Sequence, residues 1–265
     1  MSQVLSQHIL LSFDIEEFDV PCEHGVDLPM EEQIRISVEG THAILDILKA
    51  QEVRATFFST ANFAQRAPEV IQRLIREGHE LASHGFYHSS FEVADLKKSK
   101  EVLEAQTGQT IRGYRMARMM PVSEVEVAKA GYTYNTSLNP TFIPGRYMHL
   151  GTPRTHFMQD EVLQIPASVT PWVRFPLFWL SCHNLPFFLY RWLCHRTLRH
   201  DGYLVTYFHP WEFYELNEHP EFGLPFIVRN NSGRGMIKRL DRWIASFKSE
   251  GASFITYSEF ADSIS

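Results

Sequence analysis

Short apolar runs alternate along this chain with longer segments whose apolar positions recur at helical spacing. The first run, Ile9–Asp14, reads as a strand that ends on a carboxylate. Further strand candidates are Ala55–Ser59, Glu80–Ser83, Ile111–Arg115, Tyr132–Ser137, Val162–Pro166, Leu204–His209 and Phe254–Thr256. Between them, Glu31–Ala50 places Ile44, Leu45 and Leu48 on one helical face. Pro68–Glu77 opens on Pro and stops at Gly78, Phe91–Thr107 stops at Gly108, Ser123–Ala130 stops at Gly131, and Met236–Ser249 ends before Gly251. This order predicts mostly parallel strands with helices outside, as an open sheet or a barrel. No repeat, charge block or linker divides the sequence, so residues 1–265 are expected to form one domain.

Composition narrows the classes without choosing among them. A hydrophobic content of 44% with 21% charged residues is that of an ordinary globular chain, and 265 residues suit one α/β barrel. The net charge of −6 argues against a nucleic-acid partner. Cys22, Cys182 and Cys194 are too few and too scattered for a disulfide framework, and fit reduced thiols. The N-terminal run is broken by Asp14 and lacks the basic region of a secretory signal, so the expected address is the cytoplasm. The aromatic-rich stretch 175–199 has two readings: a helix and loop covering the barrel, or a surface resting on a membrane leaflet.

In a barrel of this type the site lies at the carboxyl ends of the strands. Asp14, His84, Arg115 and His209 all fall there. His84 and His88, four residues apart, lie on one face of a helical turn or clasp one ion from a tight loop. A carboxylate from another strand end, within Asp14-Ile15-Glu16-Glu17, would complete a two-histidine, one-carboxylate metal site with room for water. That is the arrangement a metal-dependent hydrolase needs.

These motifs resemble the polysaccharide deacetylases of the NodB-homology type, the family 4 carbohydrate esterases. Ser12-Phe13-Asp14 is similar to the first motif, and Gly78-His79-Glu80-Leu81-Ala82-Ser83-His84 through His88 to the second. Gly113-Tyr114-Arg115 is similar to the arginine motif, and Tyr207-Phe208-His209-Pro210-Trp211-Glu212 to the late histidine motif. The resemblance is nearest to the branch with Asp-x-Glu in the first motif and His-Pro-Trp-Glu in the last. It implies a distorted (β/α)₇ barrel, a divalent metal (zinc first among them) and removal of an N-acetyl group from a sugar. Carried onto this chain, Asp14 would be the base, His84 and His88 metal ligands, Arg115 the partner of Asp14, and His209 the proton donor. The family's second aspartate falls at Ile15. Strand alternation puts Glu16 on the side of Asp14, so Glu16 is the expected third ligand and Glu17 the alternative. Two further departures are Ala117 in place of the family's proline, and the unassigned partner of His209, for which Asp160, Glu161 and Glu212 compete.

Tyr114, Tyr134, Asn135 and Trp211 are candidates for lining a sugar site, with core packing an equal reading for each. The segment Asn139–Pro153 reads as a loop over the site mouth. Three other functions stay in view: an allantoinase-like cyclic amide hydrolase, a glycan-binding protein without catalysis, and a two-carboxylate glycosidase. The last leaves the histidine pair unexplained.

Overall fold

The structure is a computed structural model that describes residues 7–264. Among these, seven strands form the parallel path of the sheet: β1 (His8–Ile15), β2 (Thr56–Ser59), β3 (Glu80–Ser83), β4 (Gly113–Tyr114), β5 (Tyr134–Asn135), β6 (Val162–Gln164) and β7 (Tyr203–Phe208). Their spatial order is β7-β1-β2-β3-β4-β5-β6. Phe157–Gln159 adds an antiparallel edge to β6, and Ser253–Phe254 pairs with the start of β1. The sheet curls until the segment after β6 reaches β7. There Ser168 N donates to the Val205 carbonyl at 3.0 Å, and Val205 N donates to Ser168 Oγ at 2.8 Å. The result is the expected distorted seven-stranded barrel, closed at one seam by a loop rather than by strand pairing. Every strand candidate has its counterpart, although β4 and β5 keep only two ladder residues each.

Alternation along β1 shows how the sequence builds this barrel. Ile9, Leu11, Phe13 and Ile15 face the large core between sheet and helices, with Ile44, Leu45 and Leu48 of the helix Met30–Gln51. Leu10 faces the barrel interior, in a layer with Phe58, Tyr134, Val205, Tyr257 and Phe260. The C-terminal helix Tyr257–Ser263 supplies two of these rings and plugs the amino end of the barrel. One strand thus runs, on its inner face, from Leu10 through Ser12 to Asp14: apolar at the plug, charged at the mouth. Ile15, where the resemblance would place a second aspartate, is on the other face and wholly buried in the core.

The helix Met30–Gln51 sets the position of the late histidine motif. Gly40 packs so closely on Pro210 that a Cβ there would lie 1.9 Å from the Pro210 carbonyl oxygen. Because the obstacle is backbone, Gly40→Ala must push the helix and Pro210 apart. It is expected to cost about 3 kcal/mol of stability and to lower activity by moving His209, as urea unfolding and an activity assay would show.

The stretch 175–199 takes its covering role. It contains the short helix Trp179–Asn184 and most of the helix Phe187–Asp201, which buries Tyr190, Cys194, Thr197 and Leu198. Phe178, Trp179 and Leu180 turn to the carboxyl end of the barrel. This packing accounts for much of the aromatic excess, and the membrane-resting reading finds no support in it. No helix among the described residues is long and apolar enough to cross a membrane.

Candidate active site

Three ligand-type atoms converge where β1 and β3 end. Glu16 Oε2 lies 3.0 Å from His84 Nε2 and 3.2 Å from His88 Nε2, and all three side chains are buried. Ligands about 2.1 Å from one ion at the tetrahedral angle stand about 3.4 Å apart, so the spacing suits a small divalent cation. Glu16 Oε2 is buried and faces the two imidazole nitrogens, the donor set that a divalent cation would bring together. The histidines sit in a tight loop rather than on a helix. That loop is pinned by the N–H groups of Ala61 and Asn62, which donate to the Gly85 and Phe86 carbonyls at 3.0 Å each.

Each histidine is oriented through its other nitrogen, which leaves Nε2 free to ligate. His84 Nδ1 donates to the Arg115 carbonyl at 2.9 Å. His88 Nδ1 donates to Asp19 Oδ1 at 2.7 Å, and Asp19 is held in turn by Arg118 at 2.8 Å. Burial opposes charge on His88, but the Glu16 and Asp19 carboxylates outweigh it and push its pKa up to about 9. Burial would raise Glu16, yet His88 and His84 hold it down at about 2. Without a cation, the pair therefore holds a proton that a cation would replace. Glu17 is turned elsewhere, accepting from Asn62 and, at 3.0 Å, from Thr60 Oγ1.

Arg115 is wholly buried and pairs with Asp14. Its Nη2 donates to Ser12 Oγ and Tyr257 O–H at 3.0 Å each, and its guanidinium lies 4.0 Å from the Phe58 ring centre. His209 Nε2 stands 3.9 Å from the other oxygen of Asp14. The partner of His209 is Glu212, three residues on. Its Oε1 accepts the His209 N–H at 2.6 Å and faces Nδ1 at 2.9 Å. Burial lowers the pKa of His209, but the bond to Glu212 and the charges of Glu16, Glu212 and Asp14 outweigh it, so the net shift is upward. Asp160 and Glu161 instead take left-handed conformations in the turn between Phe157–Gln159 and β6.

Asp14, Glu16, His84, His88 and His209 open onto one cavity of about 320 Å³. Phe178, Trp179, Tyr207, Trp211, Ile227 and Val228 form the apolar part of its walls, and Glu23, His24 and Arg118 the polar part. Ile143, Arg146 and Tyr147, from the predicted loop over the mouth, close one side as a small hairpin. Trp211 stacks on His209 with ring centres 4.9 Å apart, and its indole N–H has no partner among the described residues.

The other three lining candidates are not in this cavity. Tyr114 faces the outer core, with its hydroxyl on Met116 Sδ. Tyr134 is inside the barrel but in the plug layer, bonded to Glu80 at 2.9 Å and stacked on Tyr257. Asn135 faces outward and donates to Glu124. All three lie on β4 or β5, below the mouth or on the wrong face. Phe178 and Trp179, which do line the cavity, were visible only as part of an aromatic-rich stretch.

Fold and site together define a class: an α/β barrel with carboxylates, imidazoles and a candidate metal triad gathered at one end. Residues 6–134, just under half of the chain, match the model of the polysaccharide deacetylase family. The stretch includes Asp14, Glu16, His84, His88 and Arg115. Over 93 residues the chain is 33% identical to the chitooligosaccharide deacetylase of Sinorhizobium fredii, which is 35% of this chain and 40% of that protein. The chain thus matches less than half the length of that curated relative. A candidate polysaccharide deacetylase of Mycobacterium smegmatis has the same fold, with a TM-score of 0.70 over 99% of this chain and 91% of its own, at 19% identity. So does an allantoinase, with a TM-score of 0.68 over 98% and 91%, at 18% identity.

Proposed function

We propose that this protein removes the N-acetyl group from a sugar of a surface glycan or its precursor, using a divalent metal held by Glu16, His84 and His88. The observation that bears most weight is the convergence of these three ligand atoms beside Asp14 and His209 in one cavity. The family match of residues 6–134 supports the sugar substrate. When bound, a cation in this position supplies Lewis acidity to the acetyl carbonyl and to the attacking water. Asp14 accepts the proton of that water, and Arg115 holds the carboxylate in place. His209 donates its Nε2 proton to the departing amine, otherwise a poor leaving group. Donation from Nε2 requires the protonated imidazolium, which Glu212 favours by accepting from Nδ1–H. Trp211 stacks on His209 and so helps to hold the imidazole at the cavity wall. Among the described residues Cys22, Cys182 and Cys194 are all unpaired, which supports a reducing compartment and our assignment to the cytoplasm.

A cyclic amide hydrolase is the competing reading of the same residues. One experiment separates the two. Zinc-loaded protein is incubated with N-acetylglucosamine oligomers and, separately, with allantoin. Acetate release from the oligomers that chelation abolishes and zinc restores is expected. Ring opening of allantoin without acetate release would replace the sugar reading. Neither reaction, with metal bound, would bring forward a glycan-binding role.

A further inference from the structure

We propose that the substrate carries an anionic group, a carboxylate or a phosphate on or beside the N-acetylated sugar, and that Arg146 at the cavity mouth binds it. This names the substrate class within the deacetylase reading above and rests on that reading. The turn that presents Arg146 is written into the sequence. Ile143-Pro144-Gly145-Arg146 joins the paired segments Phe142–Ile143 and Tyr147–Met148. Proline stands second and glycine third, Gly145 takes a φ of 78°, and Arg146 N donates to the Ile143 carbonyl at 2.9 Å. This is the pattern of a tight turn that needs a left-handed third residue. The next residue, Tyr147, is buried against Met119, Ala167, Phe178 and Tyr207, which ties the hairpin to the barrel wall. Arg146 lies over this ring, with its guanidinium carbon 5.7 Å from the ring centre and Nε 3.4 Å from the hydroxyl oxygen.

The other ionic groups in the cavity wall are matched. Asp14 pairs with Arg115, and Glu16 faces His84 and His88. Arg118 is held by two carboxylates, Asp19 at 2.8 Å and Glu23 at 2.5 Å. Arg146 forms no ion pair among the described residues, and its side chain has the Tyr147 hydroxyl as its polar partner there. Glu23 adds its field to Arg146 but gives its carboxylate to Arg118. The terminal nitrogens of Arg146 are therefore unclaimed, in the planar fork that takes a carboxylate or a phosphate through two parallel bonds. Arg146 lines the same cavity as Asp14 and His209, so an anion bound there belongs to the molecule whose amide is attacked. A neutral sugar leaves this fork to water, and an acidic one fills it.

The test pairs each acidic probe with a neutral one of equal length, on zinc-loaded protein. A disaccharide of glucuronate and N-acetylglucosamine is set against the N-acetylglucosamine disaccharide, and N-acetylglucosamine 1-phosphate against N-acetylglucosamine. Acetate release gives kcat/KM, and titration calorimetry gives Kd. The wild type is expected to favour at least one acidic probe over its neutral match by about 10-fold in both quantities. The pair that shows the preference tells carboxylate from phosphate. Arg146→Gln should bring that ratio near one, and Arg146→Lys, which keeps the charge without the fork, should retain part of it. If Arg146→Gln does not fold, the wild-type ratio and Arg146→Lys still decide. Equal handling of acidic and neutral probes by the wild type, or a preference that survives in Arg146→Gln, overturns the proposal. Acetate released equally from both members of each pair leaves the deacetylase reading standing without it. An acidic preference in Kd with no acetate from any probe ends the deacetylase reading and keeps the anion site. No binding and no release from any probe overturns both.

Discussion

Glu16→Gln and His84→Ala are each expected to lose at least about 100-fold in zinc affinity, because even the outer partners of metal ligands are worth about 10- to 100-fold. Each variant removes one of three converging donors, and two donors do not hold a labile cation at ordinary free concentrations. Asp19→Asn should fall within that 10- to 100-fold range, since it weakens the bond that aims His88 Nε2 at the site. Glu17→Gln should bind one equivalent like the wild type, because Glu17 is occupied by Thr60 and Asn62. Titration calorimetry with metal analysis of dialysed protein measures all four. Retention of zinc by Glu16→Gln together with its loss in Glu17→Gln would reverse the ligand assignment.

Arg115→Met is expected to destabilise the protein by about 3–5 kcal/mol, the cost of leaving a buried charge without its partner. Methionine preserves most of the packing against Phe58 but strips Asp14 of its counter-charge, and leaves Ser12 and Tyr257 without their shared donor. Asp14→Asn combined with Arg115→Met should recover part of the loss, because no charge then remains to be compensated. Urea unfolding of the two single variants and the double variant closes the cycle. A stability loss for Arg115→Met below about 1 kcal/mol would mean that the pair behaves like a surface ion pair, in conflict with its burial. Activity should be lost in every variant of this set, since Asp14 is the proposed base.

Much of this architecture was legible before any coordinates. The mostly parallel sheet with helices outside follows from alternating short apolar runs and helical segments, while the choice between an open sheet and a barrel did not. Glu16 was preferred over Glu17 by strand alternation alone, and Ile15 was already marked as the position that cannot coordinate. Less was legible about the aromatic residues. Tyr114, Tyr134 and Asn135 were chosen by proximity to the motifs, but a residue's face and its depth in the barrel decide whether it meets solvent. Phe178 and Trp179 come from a segment without strand periodicity, so no sequence rule aims them at the cavity.

By itself the sequence determined the β–α alternation, the side on which Asp14 and Glu16 stand, and the histidine spacing. These are local properties, set by backbone periods of two and 3.6 residues. Only the tertiary structure decided that Glu212 rather than Asp160 or Glu161 holds His209, and that the barrel closes through Ser168. Each of these depends on contacts between segments whose distance in space no local period encodes.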